Sequence, residues 1–138
     1  MIIRIYQPTD RDQVVALWND VFNNPAGRNE PHGSLDRKEA MEDELFFVAE
    51  NGDEIIGTVM AGYDGHRGWL YSVAVAKNRR REGIATDLVR HAIDVLTKRG
   101  CPKINLQILA DNAEVVAFYE SLGFRVEERI SMGKIVAE

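Results

Sequence analysis

The chain has 138 residues, 45% hydrophobic and 28% charged, with a formal net charge of −5, which fits a single folded domain, 1–138, with an ordinary core. The acidic balance speaks against a generic nucleic-acid binder, and no apolar run is long enough to span a bilayer. One cysteine, Cys101, excludes an internal disulfide and any multi-cysteine metal site, and Met1 to Tyr6 lacks the features of a secretory signal, so a cytoplasmic protein is expected.

Ile3 and Ile5 alternate in a first strand, Met1 to Tyr6. Thr9 with Asp12 opens a helix whose stripe is Val14, Leu17, Trp18 and Val21. Asn23 to Gly33, with two prolines and two glycines, reads as an irregular loop, and Ser34 or Asp36 then starts a short helix to about Glu42. Leu45 to Glu50 is an apolar strand, joined by the Asn51-Gly52 turn to a second strand, Glu54 to Gly62. Another turn, Tyr63 to Gly68, leads to the strand Trp69 to Val75. The longest helix runs from Gly83 to Arg99, with Ile84, Leu88, Ala92, Val95 and Leu96 facing a core and Gly100 beyond its end. Ile104, Leu106 and Ile108 alternate as a strand, Asp111 or Asn112 begins a helix to about Leu122, and Gly123 to Glu128 and Ser131 to Val136 read as two closing strands. The order describes an α+β mixed sheet of seven strands with about four helices. The Gly83 helix serves as a crossover that makes the strands at Trp69 and Ile104 parallel.

Arg79, Arg80, Arg81, Glu82, Gly83, Ile84 and Ala85 place a basic, glycine-containing turn at that helix start. Unpaired N–H groups, the helix dipole, close backbone approach at Gly83 and guanidinium charge all favour a phosphate there. The turn is neither a nucleotide-binding P-loop nor a dinucleotide fingerprint, since the required glycine spacings and the Lys-Ser/Thr pair are absent. It fits a shorter pattern through Arg80, Gly83 and Ala85: Arg or Gln, two residues, Gly, one residue, Gly or Ala.

A second constellation runs from Asn112 to Phe124, with a capping residue at a helix start and a phenol, Tyr119, about two turns later. With both constellations in place, the chain resembles the GNAT superfamily of acyl-CoA-dependent N-acetyltransferases, from Met1 to about Lys134. Gly57 to Gly68 and Arg99 to Lys103 are similar to the small bacterial YpeA-type members. The resemblance implies a central mixed, mostly antiparallel seven-stranded sheet with a splayed parallel pair, and it makes a homodimer a family-based expectation. It implies acetyl-CoA as acyl donor, and a primary amine of a small molecule or peptide as the acceptor that attacks it directly. Main-chain N–H groups of Arg81, Glu82, Gly83, Ile84 and Ala85 would hold the pyrophosphate, with Arg80 at the entry. Ser72, Val73, Ala74 and Val75 would lie along the pantetheine arm, and an N–H from Val73, Ala74 or Val75 would polarise the thioester carbonyl.

Tyr119 is the candidate general acid for the departing thiolate, against the alternative that its ring simply packs. Asn112 caps its helix and is also placed near the cofactor, as is Phe118, whose alternative is packing. The strand Trp69 to Val75 has no Asp or Glu, a departure from many family members that leaves the base open among Asp64, His66 and Glu42, acting through water. Acceptor recognition falls to the Asn23 to Gly33 loop, the helix after it and the Tyr63 to Arg67 turn. No histidine has a metal-ligand spacing. The competing reading is a catalytically weak acyl-CoA-binding sensor or interaction module, and a third is RNA binding through Arg79 to Arg81.

Overall fold

The computed structural model describes residues 1–137. They fall into two compact units, Met1–Asn105 and the stretch that begins at Leu106. In the first, β1 (Ile2–Ile5), β2 (Phe46–Asn51), β3 (Glu54–Tyr63), β4 (Gly68–Val75) and β5 (Ile104–Asn105) form one sheet in that spatial order. The first four are antiparallel neighbours, and β5 joins β4 in parallel through Gly68↔Ile104 and Trp69↔Asn105.

Helices cover both faces of this sheet. Successive strand residues point to opposite sides, and α1 (Arg11–Val21) reaches the Thr58 side of β3 through a hydrogen bond from the Trp18 indole. α3 (Ile84–Lys98) seats Leu88 and Ile84 against Gly57, the neighbour of Thr58, and therefore lies on the other side. α1 and α2 (Pro31–Met41) enclose a core of Tyr6, Val14, Leu17, Trp18, Leu35, Phe46, Val48, Ile55 and Ala74. Within it the Phe46 ring stacks on Tyr6 with centroids 4.6 Å apart and meets Trp18 at 5.7 Å. The joint between β1 and α1 is clamped by a two-pronged ion pair, Arg4 Nη1 and Nη2 to Asp10 Oδ2 and Oδ1 at 2.8 and 2.9 Å. Asp10 Oδ2 also accepts the Gln7 N–H. The Arg4 hydrogen bond holds the Asp10 carboxyl below the usual carboxylate range.

The sequence-predicted α2 starts three residues or more too late. Pro31 occupies the first helical position, where its missing N–H costs nothing, and the Glu30 carboxylate accepts from His32 and Gly33 N–H as the cap. The long helix agrees with its predicted span to one residue at each end.

The predicted seven-stranded sheet with a splayed parallel pair is corrected to a five-stranded mixed sheet. The strand predicted from Ile104 to Ile108 is only Ile104–Asn105, too short to form a pair that diverges along its length. Gly123 to Glu128 and Ser131 to Val136 are not strands, and Val126, Ile130, Met132 and Val136 stand exposed. Alternating apolar residues become a strand only when a neighbouring ladder accepts their backbone and one face of their side chains. Among the described residues no strand follows Asn105.

In the second unit α4 (Ala113–Ser121) begins at Asn112, whose side chain accepts the Val115 N–H at 3.3 Å. It ends where Gly123, at φ +94°, lets the Gly123 and Phe124 N–H groups turn back to Glu120 and Tyr119 carbonyls at 3.0 and 3.1 Å.

Candidate functional site

After β4 the chain makes a tight turn, Lys77–Arg79, and reaches α3 through four exposed residues, Arg80, Arg81, Glu82 and Gly83. Arg81 and Gly83 both have left-handed backbones, at φ +71° and +80°. Alternation of this kind turns successive N–H groups toward a common point, the geometry of an anion nest. The helical ladder begins with Asp87 N–H to the Gly83 carbonyl at 3.0 Å, and Gly83 supplies no side-chain cap. The N–H groups of Ile84, Ala85 and Thr86 therefore have no acceptor within the helix. Glu82 is paired with Arg79 at 3.5 Å, while the Arg80 and Arg81 side chains enter no ion pair among the described residues. Positive charge and free donors thus meet at one exposed helix end. All of the predicted turn residues, Arg80 through Ala85, lie in it.

Gly57 fixes the approach of that helix. A Cβ there would lie 2.8 Å from Leu88 Cδ1, 3.2 Å from Ile84 Cγ2 and 3.0 Å from the Ala74 carbonyl oxygen. Only a residue without a side chain lets the first turn of α3 rest directly on β3.

β4 leads into this turn and is not regular. Thr58 pairs with Ala74 and Met60 with Tyr71, so Ser72 and Val73 together oppose Val59 in a bulge, with Ser72 at φ +49°. A left-handed backbone costs a residue other than glycine about 1–2 kcal/mol. Two hydrogen bonds, one part-buried and one buried, oppose that cost: Thr58 Oγ1 donates to the Ser72 carbonyl at 2.9 Å and accepts from Trp18 Nε1 at 2.9 Å. Each contributes about 0.5–1.5 kcal/mol net, enough between them to offset the strain. Beyond the bulge, Ala74 and Val75 are buried and Ala76 N–H bonds the Ile56 carbonyl at 2.9 Å, so pairing resumes. Before it, Trp69 and Tyr71 stack with centroids 6.5 Å apart, and Tyr71 is half exposed. Burial, and then the nearby Asp64 charge, push the Tyr71 phenol up. The predicted strand residues Ser72, Val73, Ala74 and Val75 therefore surround a crook in the main chain. In the sequence Trp18 falls on a core stripe and nothing marks Thr58, whose hydroxyl is the bond between helix and bulge.

Asp64 and His66 lie in the exposed turn from β3 to β4. Asp64 Oδ1 accepts the His66 and Arg67 N–H groups at 2.8 Å each. The Arg67 bond first, then the His66 bond, hold this carboxyl below its ordinary range, so it is ionised and committed to the turn. Tyr119 belongs to the second unit, on α4, and is 7% exposed. Its ring meets Phe118 and Phe124 edge-on at 4.9 and 5.5 Å, and burial pushes its phenol up to about 12. Among the described residues no group of His, Cys, Asp and Glu comes together as a metal site, and no helix is long and apolar enough to cross a membrane.

The Acetyltransferase (GNAT) family model matches residues 12–124. The chain belongs to the GNAT acetyltransferase family. As a GNAT enzyme it transfers an acetyl group from acetyl-CoA to an amine. It is 39% identical to a Pectobacterium atrosepticum protein named acetyltransferase, over 100% of this chain and 97% of that one. A solved structure described as a transcriptional regulator from Bacillus halodurans is similar at 27% identity and a TM-score of 0.78, covering 96% of this GNAT chain and 99% of that one. A structure of an aminoglycoside N-acetyltransferase in complex with CoA shares the fold, with a TM-score of 0.77, 19% identity and coverage of 99% and 95%.

Proposed function

We propose that this GNAT protein is a single-domain, cytoplasmic enzyme of the YpeA type that acetylates a primary amine of a small molecule or peptide by direct attack. The observation that carries the reading is the exposed turn at the start of α3. Left-handed Arg81 and Gly83, the open N–H groups of Ile84 and Ala85 and the uncommitted guanidinium groups of Arg80 and Arg81 suit the pyrophosphate of acetyl-CoA. Ser72 to Val75 run alongside the pantetheine arm, and an N–H at the bulge polarises the thioester carbonyl. Polarisation there stabilises the oxyanion that forms when the amine lone pair adds to the carbonyl carbon. The nitrogen–carbon bond forms, the carbon–sulfur bond breaks, and the CoA sulfur leaves with the electron pair.

Tyr119 is the proposed donor of a proton or hydrogen bond to that sulfur, and its buried phenol stays protonated through the neutral range. Asn112 and Phe118 belong to the same proposed group. An alkyl ammonium, with a pKa of about 10.4, must lose a proton before it attacks, and His66 or Asp64 is the proposed acceptor through water. Of the two, Asp64 has one oxygen already bonded to the turn.

Calorimetry with CoA, followed by CoA release from acetyl-CoA across a panel of amines, tests the reading. Binding together with amine-dependent release supports it. Tight binding without turnover on any amine supports the sensor alternative, and no binding to folded protein removes the phosphate assignment. A homodimer is the proposed assembly, and sedimentation of the free protein tests it.

A further inference from the structure

The bulge in β4 has a support that reaches across the sheet into α1. Trp18 is 2% exposed and Thr58 fully buried, yet both carry a polar group, and among the described residues each is satisfied by this chain of bonds. The chemistry fixes its direction. An indole N–H only donates, so the Thr58 oxygen accepts from Trp18, and its one hydrogen is aimed at the Ser72 carbonyl. A valine would fill the Thr58 site with nearly the same volume, so shape alone gives no reason for a hydroxyl there. What the hydroxyl adds is a fixed orientation for the peptide that follows Ser72, whose N–H belongs to Val73.

We propose that Thr58 and Trp18 are positioning residues for acetyl transfer, holding the Ser72–Val73 peptide in the crook from which a β4 N–H meets the thioester carbonyl. The proposal rests on the reading of β4 as the acyl-donor strand. Neither side chain touches the reacting atoms, and their effect passes through the main chain. Loss of the relay relaxes the crook, weakens carbonyl polarisation and leaves the turn at Arg80 to Ala85 as it was. Coenzyme affinity and carbonyl polarisation should therefore separate, which a general loss of structure would not produce.

The probe is acetyl-CoA labelled with ¹³C at the thioester carbonyl, so no acceptor amine is needed. Its bound chemical shift and its affinity by calorimetry are compared in the parent protein, Thr58→Val, Thr58→Ser and Trp18→Phe, each checked for folding by circular dichroism. In the parent the bound carbonyl signal is displaced from its free position. Thr58→Val should lose at least half of that displacement with affinity changed less than about threefold, and Thr58→Ser, which keeps the hydroxyl, should retain it. Trp18→Phe should lose a smaller part. A folded Thr58→Val with the parent's carbonyl shift overturns the proposal. If Thr58→Val does not fold, an unchanged shift in folded Trp18→Phe overturns it equally. A parent that binds acetyl-CoA with its carbonyl signal at the free position sinks the acyl-donor reading of β4, a separate and recognisable failure.

Discussion

Gly57→Ala should be among the most damaging single-methyl additions in the sheet, although Gly57 has no unusual backbone angle. The new Cβ meets Leu88 Cδ1 at 2.8 Å, Ala74 O at 3.0 Å and Ile84 Cγ2 at 3.2 Å, all inside ordinary contact. Leu88 is fully buried and Ala74 O is part of the β-ladder, so neither yields without moving its element. Overpacking of this kind costs about 1–3 kcal/mol, and with two stiff neighbours the upper half of that range applies, about 2–3 kcal/mol. For a chain of this length that corresponds to a fall in Tm of roughly 6–12 °C. Urea unfolding is the assay, with the midpoint lowered and the slope unchanged. Gly83→Ala supplies the contrast: nothing lies within 4 Å of its Cβ, and its cost comes from the left-handed backbone alone, about 1–2 kcal/mol. If Gly57→Ala is folded and within about 0.5 kcal/mol of the parent, or proves milder than Gly83→Ala, the close seating of α3 on β3 is refuted.

Gly83→Asp should weaken CoA binding by about tenfold or more in calorimetry, because a carboxylate is added beside N–H groups that would otherwise meet phosphate. Undiminished binding by a folded variant moves the phosphate site elsewhere. Tyr119→Phe should lower turnover on a competent amine by about 100-fold with CoA affinity near the parent value, and unchanged turnover removes Tyr119 from the acid role. The Asp10 carboxyl is depressed in the folded protein, so its pairing with Arg4 stabilises the fold above the unfolded carboxylate pKa of about 3.9 and is lost as pH falls through the folded value. Asp10→Asn should flatten that acid limb in unfolding curves taken from pH 6 downward. An acid limb as steep as the parent's refutes the assignment.

The turn at Arg79 to Ala85 was legible in the sequence because its signals are local: a glycine, a basic run and a helical stripe that begins beside them. α3 was readable for the same reason. The start of α2 is hidden in the sequence because Pro31 and Gly33 look like breakers when counted, whereas Pro31 sits at the one helical position that favours it. The bulge in β4 left no local trace, because its cause lies at Thr58 and Trp18, 14 and 54 positions from Ser72. The closing strands failed in the opposite sense: Phe124 to Val136 carries an alternation, but a strand needs a neighbour, and β5 stops after Asn105. Tyr119 was singled out by its place in a motif, while its high phenol pKa comes from burial that no linear pattern reports.

The two flanks of the β4 irregularity are already in step. Tyr71 faces Met60 and Ala74 faces Thr58, so excising a single residue between them would yield a flush ladder with every other partner unchanged. A shorter loop-to-loop path is thus one codon away, and it would remove a serine from an awkward conformation. The retained residue makes the strand a poorer sheet member and a better-shaped wall, and a Ser72 deletion that melts higher yet transfers no acetyl would show those two qualities traded against each other.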